Sequence, residues 1–177
     1  MSEESSDWMG ALTRPSKVIS VSALALGTWA LMLTIINITI GAYSEGRKVM
    51  WIDFFTNGAK TNIGWEFGIA VDDVVFAFIS LAFIGTGYWM MGGAVEGGAI
   101  AWLRGLRNES FFTSLISTDG GLTRTMASWS VLVGVFFYFS WSILHNTWVD
   151  PGVYSVMISF VSIGLALHVL QGFGATH

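Results

Sequence analysis

The chain has 177 residues, 53% of them hydrophobic and 11% charged, with a formal net charge of −4 and a mean hydropathy of +0.63. A soluble domain carries about a quarter charged residues, whereas residues 18–44, 74–95, 125–149 and 151–177 here contain no Lys, Arg, Asp or Glu at all. The lack of cysteine excludes disulfides, thiolate metal sites and iron–sulfur clusters, and an acidic chain with three lysines has no strongly basic face for nucleic acid.

About 20 apolar residues in a helix cross a hydrocarbon core roughly 30 Å thick, and each charge-free run is at least that long. Membrane strands need only about 10 residues, with apolar and polar positions alternating. These runs do not alternate. The expected fold is therefore all-α: a single integral membrane domain over residues 1–177, built as a four-transmembrane-helix bundle.

Residues 1–17 read as an acidic, serine-rich tail ending in Arg14-Pro15-Ser16-Lys17. The first span is expected over about residues 18–43. It is too long for a signal-peptide core and follows an acidic start, so it is expected to be retained rather than cleaved. Residues 44–66 form a polar and aromatic connection holding Trp51, Phe54, Phe55, an Asn57-Gly58 turn signal and Trp65. The second span is expected over 73–95.

Between 96 and 124, Ile100, Leu103 and Leu106 recur opposite Arg104, Arg107 and Asn108, which suits a short amphipathic helix lying in the membrane interface. Residues 118–121 read as a turn, and the third span is expected over 125–147. Asp150-Pro151-Gly152 places a helix N-cap before a proline at the first helical position. It predicts a fourth span over 153–173, antiparallel to the third.

Lys and Arg set the orientation. With the N-terminus inside, Arg14, Lys17, Arg104, Arg107 and Arg124 lie on the cytoplasmic side, against Arg47, Lys48 and Lys60 outside. Both termini are expected in the cytoplasm.

The most ordered pattern lies in the first span. Following Ser16, the residues Ser20, Ala23, Gly27, Ala30, Thr34, Asn37 and Gly41 recur at spacings of three and four. All are small or polar, while Val18, Ile19, Leu24, Leu31, Ile35 and Ile36 lie off the stripe. Lipid tails supply no hydrophobic drive between helices, so close backbone approach and interhelical hydrogen bonds must hold them together. Such a stripe is a helix-packing seam, either within the chain or toward another chain. Shorter stripes occur at Ala127, Ser130 and Gly134 in the third span and at Ser155, Ser159, Ser162 and Ala166 in the fourth.

Three acidic residues, Glu66, Asp72 and Asp73, gather where the second span begins. They suit helix capping, since carboxylates meet free N–H groups and the positive end of the helix dipole there. The competing reading is an ion site at the mouth of a pathway. His168 is the one histidine expected deep in a span, as a packed side chain or as a ligand. It lies roughly 24 Å along the fourth helix from the turn near His145, so the two cannot share one metal. No metal site, cofactor or catalytic group is expected.

Ion-coupled transporters generally carry ionisable residues inside their spans, and these spans have almost none. The expected role is non-catalytic: a structural or accessory subunit of a multi-subunit membrane assembly such as a respiratory or photosynthetic complex, a secretion or filament machine, or a viral membrane. Its partners would be the lipid bilayer and other membrane chains or copies of itself, with no nucleic acid. The alternatives are a small pore or transporter with its mouth at Asp72 and Asp73, and a redox or enzyme subunit using His168.

Overall fold

A long run of uncharged apolar residues can satisfy its backbone donors and acceptors within itself only as a helix, and helices dominate the structure. The protein is described here by a computed structural model over residues 16–54, 68–107 and 121–174. Five α-helices follow one another: α1 Lys17–Thr39, α2 Val71–Ala94, α3 Gly98–Arg107, α4 Gly121–His145 and α5 Pro151–Gly174. Two 3-10 turns, Ser44–Gly46 and Trp51–Phe54, lie in the connection after α1. Helices α1, α2 and α4 are long and apolar enough to cross a membrane. In α5 the described apolar stretch runs over Pro151–Leu167.

The described residues fall into two compact units. Of the described residues, one draws on 16–34 and 70–107, the other on 35–54, 68–69 and 121–174.

In the first unit, α1 and α2 meet through reciprocal glycines. A Cβ on Gly27 would come within 2.8 Å of the Ser80 carbonyl and the Ile84 amide. One on Gly87 would lie 2.8 Å from the Leu24 amide and 2.9 Å from the Ser20 carbonyl. Two backbones therefore touch at two levels where any side chain would force them apart. The hydroxyls along this contact bond to carbonyls one turn back on their own helix: Ser20 to Ser16 at 2.8 Å, Thr34 to Ala30 at 2.9 Å and Ser80 to Phe76 at 2.7 Å. This back-bonding leaves no hydroxyl proton unpaired in apolar surroundings. Leu24, which the spacing placed off the stripe, has its amide and Cγ against Gly87. The reason is that α1 approaches so closely that the contact spans more than one row of residues.

The second unit repeats the device between α4 and α5. A Cβ on Gly164 would meet the Ala127 carbonyl at 2.6 Å, and one on Gly134 would meet Phe160 Cβ at 2.8 Å. The face of α5 turned to α4 thus carries Gly164, Phe160 and the buried Val153. Ser155, Ser159, Ser162 and Ala166 are exposed instead. That stripe is small and polar as expected, but its residues lie off the seam with α4.

Helix ends differ from expectation by a few residues, each for a local reason. The first helix stops at Thr39, short of Tyr43, because Gly41 takes φ +75°. That left-handed conformation suits a residue without Cβ, and a Cβ there would collide with the Gly46 carbonyl. The third span ends at His145 rather than 147, where Asn146 takes φ +52°. Helix α5 starts at Pro151 as the capping pattern implied. Asp150 Oδ1 accepts from Gly152 N at 2.8 Å and Val153 N at 3.2 Å.

The short helix α3 forms where amphipathic spacing placed one, with a different distribution around it. Ile100 and Arg104 are four residues apart and so share a face, rather than lying opposite one another. Both are exposed, while Ala99 is buried.

Gly27→Leu is expected to lower the thermal midpoint in detergent by the equivalent of about 1–3 kcal/mol or more, the usual cost of overpacking. Leu26→Ala, at an exposed neighbouring position, should change it little. Equal effects of the two substitutions would show that α1 has no closely packed face.

Candidate functional site

Among the described residues, a dense set of buried polar contacts lies where α1 ends. Asn37 is fully buried at 0% exposure. Its Oδ1 accepts from Val49 N at 2.7 Å and from Ala42 N at 3.3 Å, and its Nδ2 donates to Val49 O at 2.8 Å. One carboxamide therefore satisfies three backbone groups in a segment that belongs to neither helix nor sheet. Between these anchors the chain makes a tight turn. Tyr43 N donates to Arg47 O at 3.0 Å and Arg47 N to Tyr43 O at 3.1 Å, across Glu45 and Gly46, both at positive φ. The Arg47 guanidinium lies over the Tyr43 ring, 5.2 Å from its centroid.

The turn between α4 and α5 docks on this segment. Val149 N donates to Ala42 O at 2.9 Å and Asn146 Nδ2 to Ile40 O at 3.0 Å. From the α4 side, the buried Tyr138 hydroxyl donates to Trp148 O at 2.6 Å. Its ring stacks on Tyr154 with centroids 5.4 Å apart and meets Trp148 edge-on at 6.3 Å. Tyr138 thus ties the turn at Trp148 to the start of α5 at Tyr154, and Trp51 and Trp148 are buried. This geometry binds backbone. Among the described residues, Asn37, Tyr138 and Asn146 each donate here to a backbone carbonyl.

At the start of α2, Ala70 is the N-cap and Asp73 occupies the third helical position. Asp73 is fully buried. Its Oδ2 accepts from Ala70 N at 3.0 Å, the carboxylate half of a capping box. Asp72 Oδ1 accepts from Asp73 N at 3.1 Å. Neither aspartate is the N-cap itself, because α2 begins at Val71, three residues before its charge-free run. Asp72 Oδ2 is buried with no hydrogen-bond partner among the described residues. Glu66 lies outside the described residues.

The seven packing residues of the first span divide by burial. Ser20, Gly27, Thr34, Asn37 and Gly41 are buried, and Ala23 and Ala30 are half-buried. Position 168 lies within α5, and the His168 side chain is outside the described set. His145 closes α4 with its ring 4.2 Å from that of Trp141. Among the described residues no three His, Asp or Glu side chains gather as a metal-ligand group.

Sequence reasoning passed over Ser80 and Gly87, the α2 partners of the first-span stripe. Asp73, Ser80 and Gly87 recur every seven residues on that helix, a spacing that puts them on one face and was available as a signal. It also passed over Tyr138, whose hydroxyl partner is a carbonyl ten residues away in a turn, and no local pattern marks that.

No protein-family model matches the chain, and no curated protein or solved structure matches it.

Two outcomes follow from this geometry. Asn37→Ala should destabilise the protein by about 1–3 kcal/mol for each buried backbone group left unpaired. Thr39→Ala, which loses only an exposed bond to its own helix, should be nearly neutral. Thermal unfolding in detergent, together with hydrogen exchange at the Val49 amide, reads both, and an unprotected Val49 amide in the wild type would refute the joint. At the acidic cluster, Asp73→Asn keeps an acceptor and should cost only about 0.3–1 kcal/mol through the dipole. Asp73→Ala, which removes the acceptor of the Ala70 N–H, should cost about 1.5–3 kcal/mol, the worth of a hydrogen bond to a charged group. If wild-type vesicles carry a cation or proton flux that vanishes in a well-folded Asp72→Asn or Asp73→Asn variant, the cluster is an ion site.

Proposed function

We propose that the chain is a multi-pass membrane protein of four spans, α1, α2, α4 and α5, with α3 at the interface and both termini in the cytoplasm. Its role is structural: an accessory, non-catalytic subunit that packs against other membrane chains or copies of itself. The observation that carries this reading is the outward face of α5. Ser155, Ser159, Ser162 and Ala166 stay exposed while the same helix packs on α4 through other residues. The Ser155 and Ser159 hydroxyls are spent on carbonyls of their own helix, Pro151 at 2.7 Å and Ser155 at 2.8 Å. A neighbouring helix therefore meets a small, internally satisfied surface of the kind that permits close approach in lipid.

A second reading, a small pore with its mouth at Asp72 and Asp73, draws on one specific observation, the buried and unpartnered Asp72 Oδ2. The structural reading draws more support from the joint at Asn37, where buried polar side chains hold backbone.

Topology and assembly are tested together. The chain has no cysteine, so single cysteines at Ser5, Ala59 and Asn108 report cleanly to a membrane-impermeant reagent. Only Ala59→Cys should label from outside intact cells, and labelling at 108 with none at 59 inverts the orientation. After mild detergent extraction the native particle should exceed the 19.3 kDa protomer by at least one further chain. Ser159→Leu and Ser162→Leu should reduce that mass without unfolding the protomer, and a monomeric wild-type particle would overturn the assembly role.

A further inference from the structure

The exposed face of α3 combines features that water alone would not favour. Ile100 is 52% exposed and Leu103 56% exposed. Arg104, one turn from Ile100, is exposed on the same side. Beside this strip Ala99, four residues before Leu103, is buried, and Gly98 lies against Gly92 of α2. Among the described residues, the aliphatic pair and Arg104 thus form an exposed strip with a cation at its edge.

Its position follows from the chain. Only Val95, Glu96 and Gly97 separate α2 from α3, so an extended link keeps Gly98 within about 14 Å of the end of α2. That end of α2 exposes Tyr88 and Trp89, residue types that settle at the boundary between acyl chains and headgroups. If α2 spans the bilayer, α3 is held at headgroup level. At that depth leucine and isoleucine reach the acyl boundary while a guanidinium on its flexible stem reaches back to phosphate. Arginine's planar fork of N–H donors matches phosphate oxygens two at a time.

We propose that the exposed face of α3 is a docking surface for a bilayer containing anionic phospholipid, with Ile100 and Leu103 seated in the acyl boundary and Arg104 donating to lipid phosphate. The inference rests on the reading of α2 as a membrane span.

The test uses the full-length protein with a spin label on a single introduced cysteine, reconstituted into vesicles of phosphatidylcholine alone or mixed with phosphatidylglycerol. A label at Leu103 should be more accessible to oxygen than to a water-soluble paramagnet. A label at the exposed Ala101, about half a turn round the helix, should show the reverse. Adding phosphatidylglycerol should move the Leu103 label deeper. Arg104→Gln should abolish that shift, and Arg104→Lys should keep most of it. A Leu103 label open to the aqueous agent in both vesicle types, or a full phosphatidylglycerol response in Arg104→Gln, overturns the proposal. A label at Phe83 within α2 tells the two failures apart. If it meets only oxygen, α2 spans and α3 alone is misassigned, whereas an aqueous-accessible Phe83 overturns the span and the docking surface together.

Discussion

Where an apolar helix ends, its chain must still find partners for every buried N–H and C=O, and a side chain that pairs with several of them decides where the following residues run. Asn37 is that side chain. With two acceptor lone pairs and two donor hydrogens, it holds Ala42 N, Val49 N and Val49 O together. The segment so anchored offers the carbonyls of Ile40 and Ala42, which receive Asn146 and Val149 from the turn between α4 and α5. Tyr138, Ser142 and Asp150 fix that same turn from the two helices it joins. Removing the carboxamide would strand three buried polar groups and release the surface on which the turn docks. The bonds of Asn37, Tyr138 and Ser142 are buried, where a lost partner is not readily replaced by water.

Away from this joint, both helix pairs are held by close approach of backbone. Gly27 and Gly87 do this for α1 and α2, and Gly134 and Gly164 do it for α4 and α5. Dispersion between well-fitted surfaces rises steeply as gaps close, and in lipid it must replace the burial that drives helices together in water. The outward faces are correspondingly unspecialised. Val71, Phe78, Trp89, Phe136 and Leu144 are strongly exposed, as suits a surface meeting acyl chains. The serine and alanine face of α5 stands apart from this pattern, and the proposed contact with a further chain draws on that difference.

The acidic residues at the start of α2 illustrate how one carboxylate is absorbed by structure while its neighbour is only half used. Asp73 closes on Ala70 N from the third helical position, where a negative group also meets the positive end of the dipole. Asp72 uses one oxygen on Asp73 N. Both readings of the cluster therefore draw on the same geometry, and they differ in whether charge or merely an acceptor is needed there.

The sequence by itself determined the helical class, the apolar helices and the small-residue stripe of α1, because an uncharged apolar run has few ways to satisfy its backbone and because small residues at spacings of three and four define one face. It also marked the start of α5, since Asp150 and Pro151 act within one turn. Tertiary structure decided the rest. An apolar helix has little contrast between its faces, so the sequence did not reveal that α5 packs through Gly164 and Val153 while its serines turn outward. Leu24 joined the α1 contact because Gly87 of α2 brings the backbones close there. The path of the chain after α1 depended on Asn37 finding Val49, twelve residues on in an irregular segment. Partners so separated leave no period in the sequence, and only the folded path of the chain brings them together.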